Sequence, residues 1–194
     1  MSASIRLIGL EAAKAQLASM GKSVDPVLRG AIDTTAVDVR RRKYVPPMAP
    51  MFKSRRFVAS RIILKKVRLR KKIFDARLIP SSSGVYVTEF RRWGFLPVSP
   101  TRARIIVGSF KGSRVAAGFV NPASFARQPW RTRTERRTAK RTYRYESALK
   151  PAIGPSIAFF FKRLTNRDTL QFANRRLQNE FQRRYRKELI RAAA

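Results

Sequence analysis

Apolar residues three or four positions apart mark the first part of the chain as helical. From Leu10 onward they fall on one helical face, which predicts a first helix. Asp25-Pro26 has the composition of an N-cap followed by the first helical residue, so a second helix should start there. We expect Pro46-Pro47 to end that helix, because proline lacks the amide hydrogen that a helix interior requires. Residues 10–43 are therefore predicted to form a helical N-terminal part.

The middle of the chain has the composition of β-strands. Residues 102–107 and 114–120 are separated by Lys111-Gly112-Ser113, which is the pattern of a hairpin. Further segments with strand composition are residues 85–90, 127–134 and 142–147. We therefore predict an antiparallel meander within a mainly β part over residues 75–147. Residues 46–72 suit a short basic helix and a strand equally well, and the pattern does not choose between them.

Helical spacing returns after Pro155, which suits a first helical residue. An apolar stripe with steps of three and four residues predicts a helix over residues 168–192, about 37 Å long at 1.5 Å per residue. Its other faces are rich in arginine, so the helix should be amphipathic with a narrow apolar face. Residues 155–192 form the predicted helical C-terminal part. The stripe consists of Leu170, Ala173, Leu177, Phe181, Tyr185 and Leu189.

Together these elements predict one α+β domain over residues 1–194. Its antiparallel β meander is flanked by N-terminal helices and a long C-terminal amphipathic helix. Hydrophobic residues make up 44% of the chain and include 13 Phe, which is enough for a folded core. The side chains that we expect to be buried are Leu28, Ile32, Val39, Ile106, Val120, Leu177 and Phe181.

The charge balance is the strongest compositional signal. The chain has 44 Lys and Arg against 11 Asp and Glu, a net charge of +33. A compact chain with this charge repels itself unless a polyanion or an acidic partner neutralises the field. The basic residues gather in four clusters, within residues 40–43, 65–72, 131–144 and 183–187. A solvated face without a partner would explain one cluster, whereas four clusters favour a partner.

Duplex DNA suits such a surface because it carries one negative charge per roughly 1.7 Å. Arginine outnumbers lysine by 31 to 13, and its planar guanidinium matches phosphate geometry. Carboxylates on acidic proteins would pair with the same side chains. The candidate phosphate-binding residues lie in or beside predicted loops. They are Arg40, Arg41, Arg42, Lys43, Lys65, Lys66, Arg68, Arg70, Lys71, Lys72, Arg131, Arg133, Arg136, Arg137, Lys140 and Arg141.

The sequence lacks the residues on which most catalytic sites depend. It has no His and no Cys, which removes the commonest general base and the thiolate metal ligands. The carboxylates show no spacing suited to a divalent cation, and there is no phosphate-binding glycine loop. We therefore predict that the protein is not an enzyme and has no metal site and no cofactor. A nuclease built from distant carboxylates such as Asp75, Glu89 and Glu146 is the enzymatic alternative.

The longest charge-free runs are too short to span a membrane. They include residues 115–126 and 151–161, whereas a spanning helix needs about 18 or more apolar residues. The first ten residues lack the basic and apolar regions of a secretion signal. We therefore expect a soluble protein without membrane contact and without an export signal.

Several short motifs occur in a characteristic order along the chain. They are Gly9-Leu10-Glu11 with Ala13, Gly118-Phe119-Val120, Trp130-Arg131, Arg144-Tyr145 and the run from Ala148 to Pro155. A long Arg-rich helix follows them. In this order the chain resembles the minor tail protein Z family of long-tailed bacteriophages, the tail completion proteins. The resemblance covers nearly the whole length and is weakest over residues 43–75.

The resemblance implies a structural virion protein at the head-proximal end of a phage tail, assembled in the host cytoplasm. Such a protein completes the tail and contributes to the head–tail junction, and the family has no catalytic residues. The expected partners are other tail and neck proteins with acidic surfaces, further copies of the chain in a homohexameric ring, and the double-stranded DNA of the genome end. Whether the basic surface faces DNA or acidic proteins is left open by the resemblance.

A ribosomal or other RNA-binding structural protein is the alternative from a different class. High arginine content and small size suit it as well. RNA-binding domains usually expose aromatic side chains beside basic ones. Here most aromatic residues, such as Phe159-Phe160-Phe161 and the pair Phe181 and Tyr185, fall on predicted apolar faces. The sequence therefore favours the virion hypothesis.

Overall fold

A computed structural model describes residues 7–68, 75–132 and 149–193. It contains 49% helix and 27% strand with an antiparallel sheet and a long C-terminal helix, which confirms the predicted α+β class. The chain divides into two compact units. Unit 1 comprises Met1–Pro47, Ala59–Pro80 and Phe161–Ala194, and unit 2 comprises Met48–Val58 and Ser81–Phe160. The strand predicted over residues 142–147 lies outside the described residues.

Two helices open unit 1 as predicted, α1 (Leu10–Ser19) and α2 (Asp25–Val39). Val24 is the boundary residue of α2, so Asp25 is its first residue and not its cap. Pro26 is then the second helical residue, where an amide hydrogen is equally unnecessary.

The prediction that Pro46-Pro47 ends the helical segment is wrong. A π-helical turn (Arg40–Tyr44) follows α2, and the amide of Val45 donates to the carbonyl of Arg40 at its end. The short helix α3 (Val45–Met48) then contains both prolines, before a 3₁₀ turn (Ala49–Met51). Proline is tolerated there because the first turn of a helix has no internal partner for its amide groups.

The segment that the sequence left open contains both a helix and a strand. Helix α4 (Arg55–Ser60) starts after Ser54, whose hydroxyl accepts hydrogen bonds from the amides of Arg56 and Phe57. Strand β1 (Ile62–Lys65) follows and pairs antiparallel with β2 (Arg77–Pro80).

The C-terminal part consists of α5 (Ile157–Leu164) and α6 (Arg167–Ala193), so the long predicted helix is confirmed. In unit 1, the apolar stripe of α6 packs with α1 and α2 around one core. The buried residues of that core are Ala13, Leu17, Val24, Val27, Ala31, Leu177 and Phe181. Leu28 and Ile32 are only half-buried against it, because the most buried line of α2 runs through Val27, Ala31, Thr35 and Val39 at steps of four.

Unit 2 contains a seven-stranded antiparallel sheet among the described residues. The predicted hairpin is confirmed as β5 (Arg102–Ser109) and β6 (Gly112–Val120), joined by a tight turn at Phe110-Lys111. The other strands are β3 (Val85–Tyr86), β4 (Trp93–Ser99), β7 (Trp130–Thr132), β8 (Leu149–Pro151) and β9 (Ile153–Gly154). The strand order is β3-β9-β6-β5-β4, and β7 pairs with both β6 and β8.

Two details of this sheet differ from the prediction. Residues 85–90 form a strand only at Val85–Tyr86, because a 3₁₀ turn (Val87–Glu89) follows directly. The amide of Phe90 donates a hydrogen bond to the carbonyl of Val87 at the end of this turn. Strand β4 was not foreseen because Pro97 interrupts its pattern, and proline is accepted there since β4 lies at the end of the strand order.

One face of the sheet packs on an aromatic core. Ile105 and Val107 of β5 point into this core, and Val120 of β6 is buried as predicted. Ile106 lies on the opposite face and is half-exposed, so its predicted burial is wrong. The reason is the two-residue period of a strand, which places Ile106 on the same face as Arg102 and Arg104.

Gly118 allows the close packing at the centre of this sheet. Its φ of 147° is one that other residues rarely adopt. A Cβ atom at this position would lie 2.4 Å from the carbonyl oxygen of Trp130 and 2.6 Å from the Cβ of Ala152. Glycine therefore lets the β7 and β8 segments approach β6 directly.

Candidate nucleic-acid interface

Helices α2 and α6 meet along a seam of charged side chains. The two helices run antiparallel, since Asp38 contacts Arg176 while Thr34 contacts Arg184. The carboxylate of Asp38 accepts a hydrogen bond from Arg176 Nε at 2.6 Å. The hydroxyl of Thr34 accepts one from Arg184 Nη2 at 3.0 Å. This seam joins residues more than 130 positions apart and forms the polar border of the unit 1 core.

Glu180 is the central group of this seam. Its side chain is only 2% exposed, although it lies on the arginine-rich helix α6. Arg183 donates to it from Nη2 at 2.5 Å and from Nε at 3.1 Å, and Arg184 donates from Nε at 2.8 Å. Arg176 Nη2 lies 3.8 Å from Oε2. Burial of this carboxylate is possible because charged donors surround it.

The environment of Glu180 also changes its acidity. The hydrogen bond from Arg183 is the main cause that lowers the pKa of Glu180, and Arg184 acts in the same direction. Burial opposes them, because it penalises the charged form. The carboxylate therefore stays ionised under conditions in which an exposed glutamate begins to protonate.

Glu180 should give the stability of the protein a specific acid dependence. A lowered pKa in the folded state stabilises the fold fully above the unfolded value of about 4.3, and this contribution is lost as the pH falls through the folded pKa. We expect the difference in unfolding free energy between the protein and Glu180→Gln to shrink steadily below about pH 4. Urea unfolding at a series of pH values measures it. A difference that stays constant down to acid unfolding would contradict the assignment.

The cluster at residues 40–43 contains two cations that contact the fold and two that are exposed. Arg40 is half-buried and its guanidinium donates to the carbonyl of Ala59. The ammonium of Lys43 lies 5.0 Å from the centre of the Phe172 ring, a cation–π contact. Arg41 and Arg42 are exposed. The π-helical turn therefore presents two arginines to solvent and uses its other two cations to hold the fold.

The cluster at residues 65–68 is attached to α2 through its backbone. The amide of Val67 donates to Oδ1 of Asp33 at 2.9 Å, and the Val67 side chain is buried. Lys65, Lys66 and Arg68 are exposed around this anchor. These three side chains line a shallow cleft together with Asp75 and Arg77, which pair with each other at 2.5 Å. The cleft is therefore strongly cationic.

Arg131 is the one described member of the third cluster. It lies on β7, and its Nε donates to the carbonyl of Pro151 on the neighbouring strand at 3.2 Å. One donor of the guanidinium is therefore occupied by a hydrogen bond within the sheet. The other predicted residues of this cluster and of the second cluster lie outside the described residues. They are Arg70, Lys71, Lys72, Arg133, Arg136, Arg137, Lys140 and Arg141.

The exposed side of α6 carries further cations that were not among the candidate residues. Arg175, Arg186 and Arg191 are exposed and lie away from the buried stripe. Their exposure could have been predicted from the helical spacing, because they fall between the apolar positions of a helix that the sequence already predicts. Their position extends the cationic surface of unit 1 along α6.

Four carboxylates of unit 1 are engaged in contacts within the fold. Asp38 and Glu180 pair within the seam, Asp75 pairs with Arg77, and Asp33 holds Val67 and lies 3.8 Å from Arg29. No ion pair is formed by Arg41, Arg42, Lys65, Lys66 or Arg68 within the described part of the chain. The arrangement leaves exposed cations available to an external anion.

The described residues contain neither a candidate metal centre nor a candidate membrane span. No group of three His, Cys, Asp or Glu residues in the described ranges is arranged to hold a metal ion. None of the described helices has the length and apolar character needed to cross a membrane. Comparison with protein-family models, with curated proteins and with solved structures found no match.

Proposed function

We propose that this chain is a structural virion protein that binds duplex DNA through non-specific phosphate contacts. The observation that supports this proposal is a set of exposed cations of unit 1 that form no ion pair with any of the described residues. These cations are Arg41, Arg42, Lys65, Lys66 and Arg68. A surface of this kind attracts a polyanion at long range and holds it without reading its sequence.

The biological setting of the proposal comes from the family resemblance. In that setting the protein lies at the head-proximal end of a phage tail, completes the tail and contributes to the head–tail junction. Copies arranged in a closed, homohexameric ring would combine their fields around a DNA end, and repeated heterologous contacts close into such rings. Other tail and neck proteins would supply acidic surfaces that reduce the repulsion between copies.

The positions of the aromatic side chains favour duplex DNA over the RNA alternative. Single-stranded RNA is usually bound by aromatic rings that stack on bases. Phe160 and Phe181 are buried, and the Tyr44 ring stacks on Phe161 with their centres 3.9 Å apart. These rings are part of the fold and are not available to bases, whereas the exposed aromatic residues Tyr86 and Phe125 belong to unit 2. Phosphate contact therefore accounts best for the cationic surface of unit 1.

A salt titration of binding to random-sequence duplex DNA tests the proposal. Each lost phosphate contact should reduce the slope of log affinity against log salt by about 0.9. Arg41→Gln with Arg42→Gln should therefore lower the slope by about 1.8. The matched control is Arg91→Gln with Arg92→Gln, an adjacent exposed pair in unit 2 that loses the same charge.

The control pair should leave the slope almost unchanged. Absence of binding at low salt would refute the proposal. Equal effects of the two pairs would show that the net charge, and not the surface of unit 1, attracts DNA.

A further inference from the structure

The sheet of unit 2 has an apolar outer face, opposite the aromatic core. Leu96 on β4 lies directly opposite Arg104 on β5, and Arg104 lies opposite Phe119 on β6. In the next row, Ile106 of β5 lies opposite Val115 of β6. Directly paired residues point to the same side of a sheet, so these five side chains share one face.

Much of this face is open to solvent. Leu96 is 55% exposed and Val115 is 63% exposed, while Ile106 and Phe119 are half-exposed. Exposed aliphatic side chains are unremarkable when scattered singly, but a contiguous group of them marks an interaction surface. Trp130 of β7 pairs with Phe119 and is also half-exposed, so it belongs to the same face. We define the outer sheet face by the following residues: Leu96, Arg102, Arg104, Ile106, Val115, Phe119 and Trp130.

The charge on the outer sheet face has one sign. Arg102 and Arg104 are exposed, and they alternate with the buried residues of β5 towards this side. No carboxylate occurs on β4, β5 or β6. Among the described residues of unit 2, Glu89 is the only carboxylate, and it lies in the 3₁₀ turn before β4. Within the described strands β4, β5 and β6, Arg102 and Arg104 therefore have no carboxylate partner.

We propose that the outer sheet face docks an acidic partner protein whose own surface combines aliphatic side chains with carboxylates. Burial of aliphatic groups would supply the affinity, and pairing with Arg102 and Arg104 would select the partner. A second copy of this chain is a poor occupant, because it would bring the same arginines and a net charge of +33 to the interface.

Duplex DNA fits this face less well than an acidic protein. The face combines the exposed aliphatic residues Leu96 and Val115 with Arg102 and Arg104, whereas duplex DNA offers no apolar surface of comparable size against which to bury the aliphatic groups. Addition of a strand at β4 is also disfavoured, since Pro97 removes an amide donor and the pairing of β4 with β5 is irregular between Pro97 and Ser99. The face of the sheet, and not its edge, is the docking element.

Binding of synthetic acidic peptides tests this inference. The first probe is an amphipathic peptide with leucine on one face and glutamate on both flanks. The second probe keeps every glutamate and replaces each leucine by serine. We expect the first probe to bind the full chain at least tenfold more tightly than the second, as measured by isothermal titration calorimetry at moderate salt.

Substitutions in the chain identify where the first probe binds. Leu96→Asp or Val115→Asp should weaken its binding at least tenfold, and neutralising Arg102 and Arg104 with glutamine should also weaken it. The matched control is Ile63→Asp on β1, because Ile63 is 57% exposed and undergoes the same change. It should alter binding less than twofold. Affinity for random-sequence duplex DNA should fall less in Leu96→Asp than in Arg41→Gln with Arg42→Gln, which separates this inference from the proposed DNA binding.

Four results would overturn the inference. The first is no binding of the leucine-containing probe, and the second is equal affinity for the two probes. The third is self-association of the protein that Val115→Asp abolishes, because the occupant would then be a second copy. The fourth is a much lower melting temperature for Val115→Asp than for Ile63→Asp, because the chain itself would then cover this face.

Discussion

Replacing Phe160 by alanine should lower the free energy of unfolding by about 3–5 kcal/mol. The Phe160 side chain is fully buried in unit 2. Its ring meets Phe159, Phe110 and Phe52 edge-on, with ring centres 5.2, 5.4 and 5.8 Å apart. The substitution removes the ring on which these contacts converge, and a closely packed core refills such a cavity only in part.

The control for this substitution is Phe125→Ala. Phe125 is fully exposed, so the same chemical change there should alter stability by less than about 0.5 kcal/mol. Urea unfolding followed by circular dichroism measures both variants. Equal stability of the two variants would contradict the aromatic core.

Replacing Glu180 by glutamine should lower the free energy of unfolding by about 2 kcal/mol at neutral pH. Removal of one partner from a buried ion pair costs about 3–5 kcal/mol. The effect should be smaller here, because the side chains of Arg183 and Arg184 remain 65% and 34% exposed and water can solvate their charges. The melting temperature should fall by about 4–8 °C for a chain of this size.

Glu188→Gln is the matched control for that experiment. It lies on the same helix and changes the net charge of the protein by the same amount. Its side chain, however, is half-buried and forms no ion pair with any of the described residues. We expect Glu188→Gln to change stability by less than about 0.5 kcal/mol. If both variants lose the same stability, the cause is the added positive charge of the whole protein and not the seam between α2 and α6.

The helices of this protein were largely predictable because their signal is local. The stripe of α6 depends on side chains three and four residues apart, which share a face in any helix. Ala173, Leu177 and Phe181 are accordingly buried as the spacing indicates. The end of α2 was not predictable in the same way. A π-helical turn follows α2, and Pro46-Pro47 then lie in the first turn of the next helix.

The sheet was harder to predict, because a strand is defined by its neighbours. Ile105, Ile106 and Val107 are consecutive and similar, so composition does not show which of them faces the core. Pairing with β4 and β6 decides that Ile105 and Val107 point inward. An error of one residue in the predicted register exchanges the buried and the exposed face of a strand, since its side chains alternate.

The positive charge of the candidate interface was predictable from the sequence. Which of its cations contact the fold and which are exposed was not. Composition alone shows 44 basic residues, and their clusters are visible along the chain. Only the fold shows that Arg40 bonds to Ala59 and Lys43 lies over Phe172, whereas Arg41 and Arg42 are exposed. The cause is that each of these contacts joins residues far apart in sequence.

By itself the sequence determined the α+β class, the amphipathic C-terminal helix and the excess of positive charge. These properties follow from composition and from spacing within single segments. The tertiary structure decided the burial of Glu180 and the exposure of the outer sheet face. Both depend on which segments pack together, as when Asp38 meets Arg176 across 138 positions. Local patterns specify the elements, and long-range packing selects which of their side chains remain available to a partner.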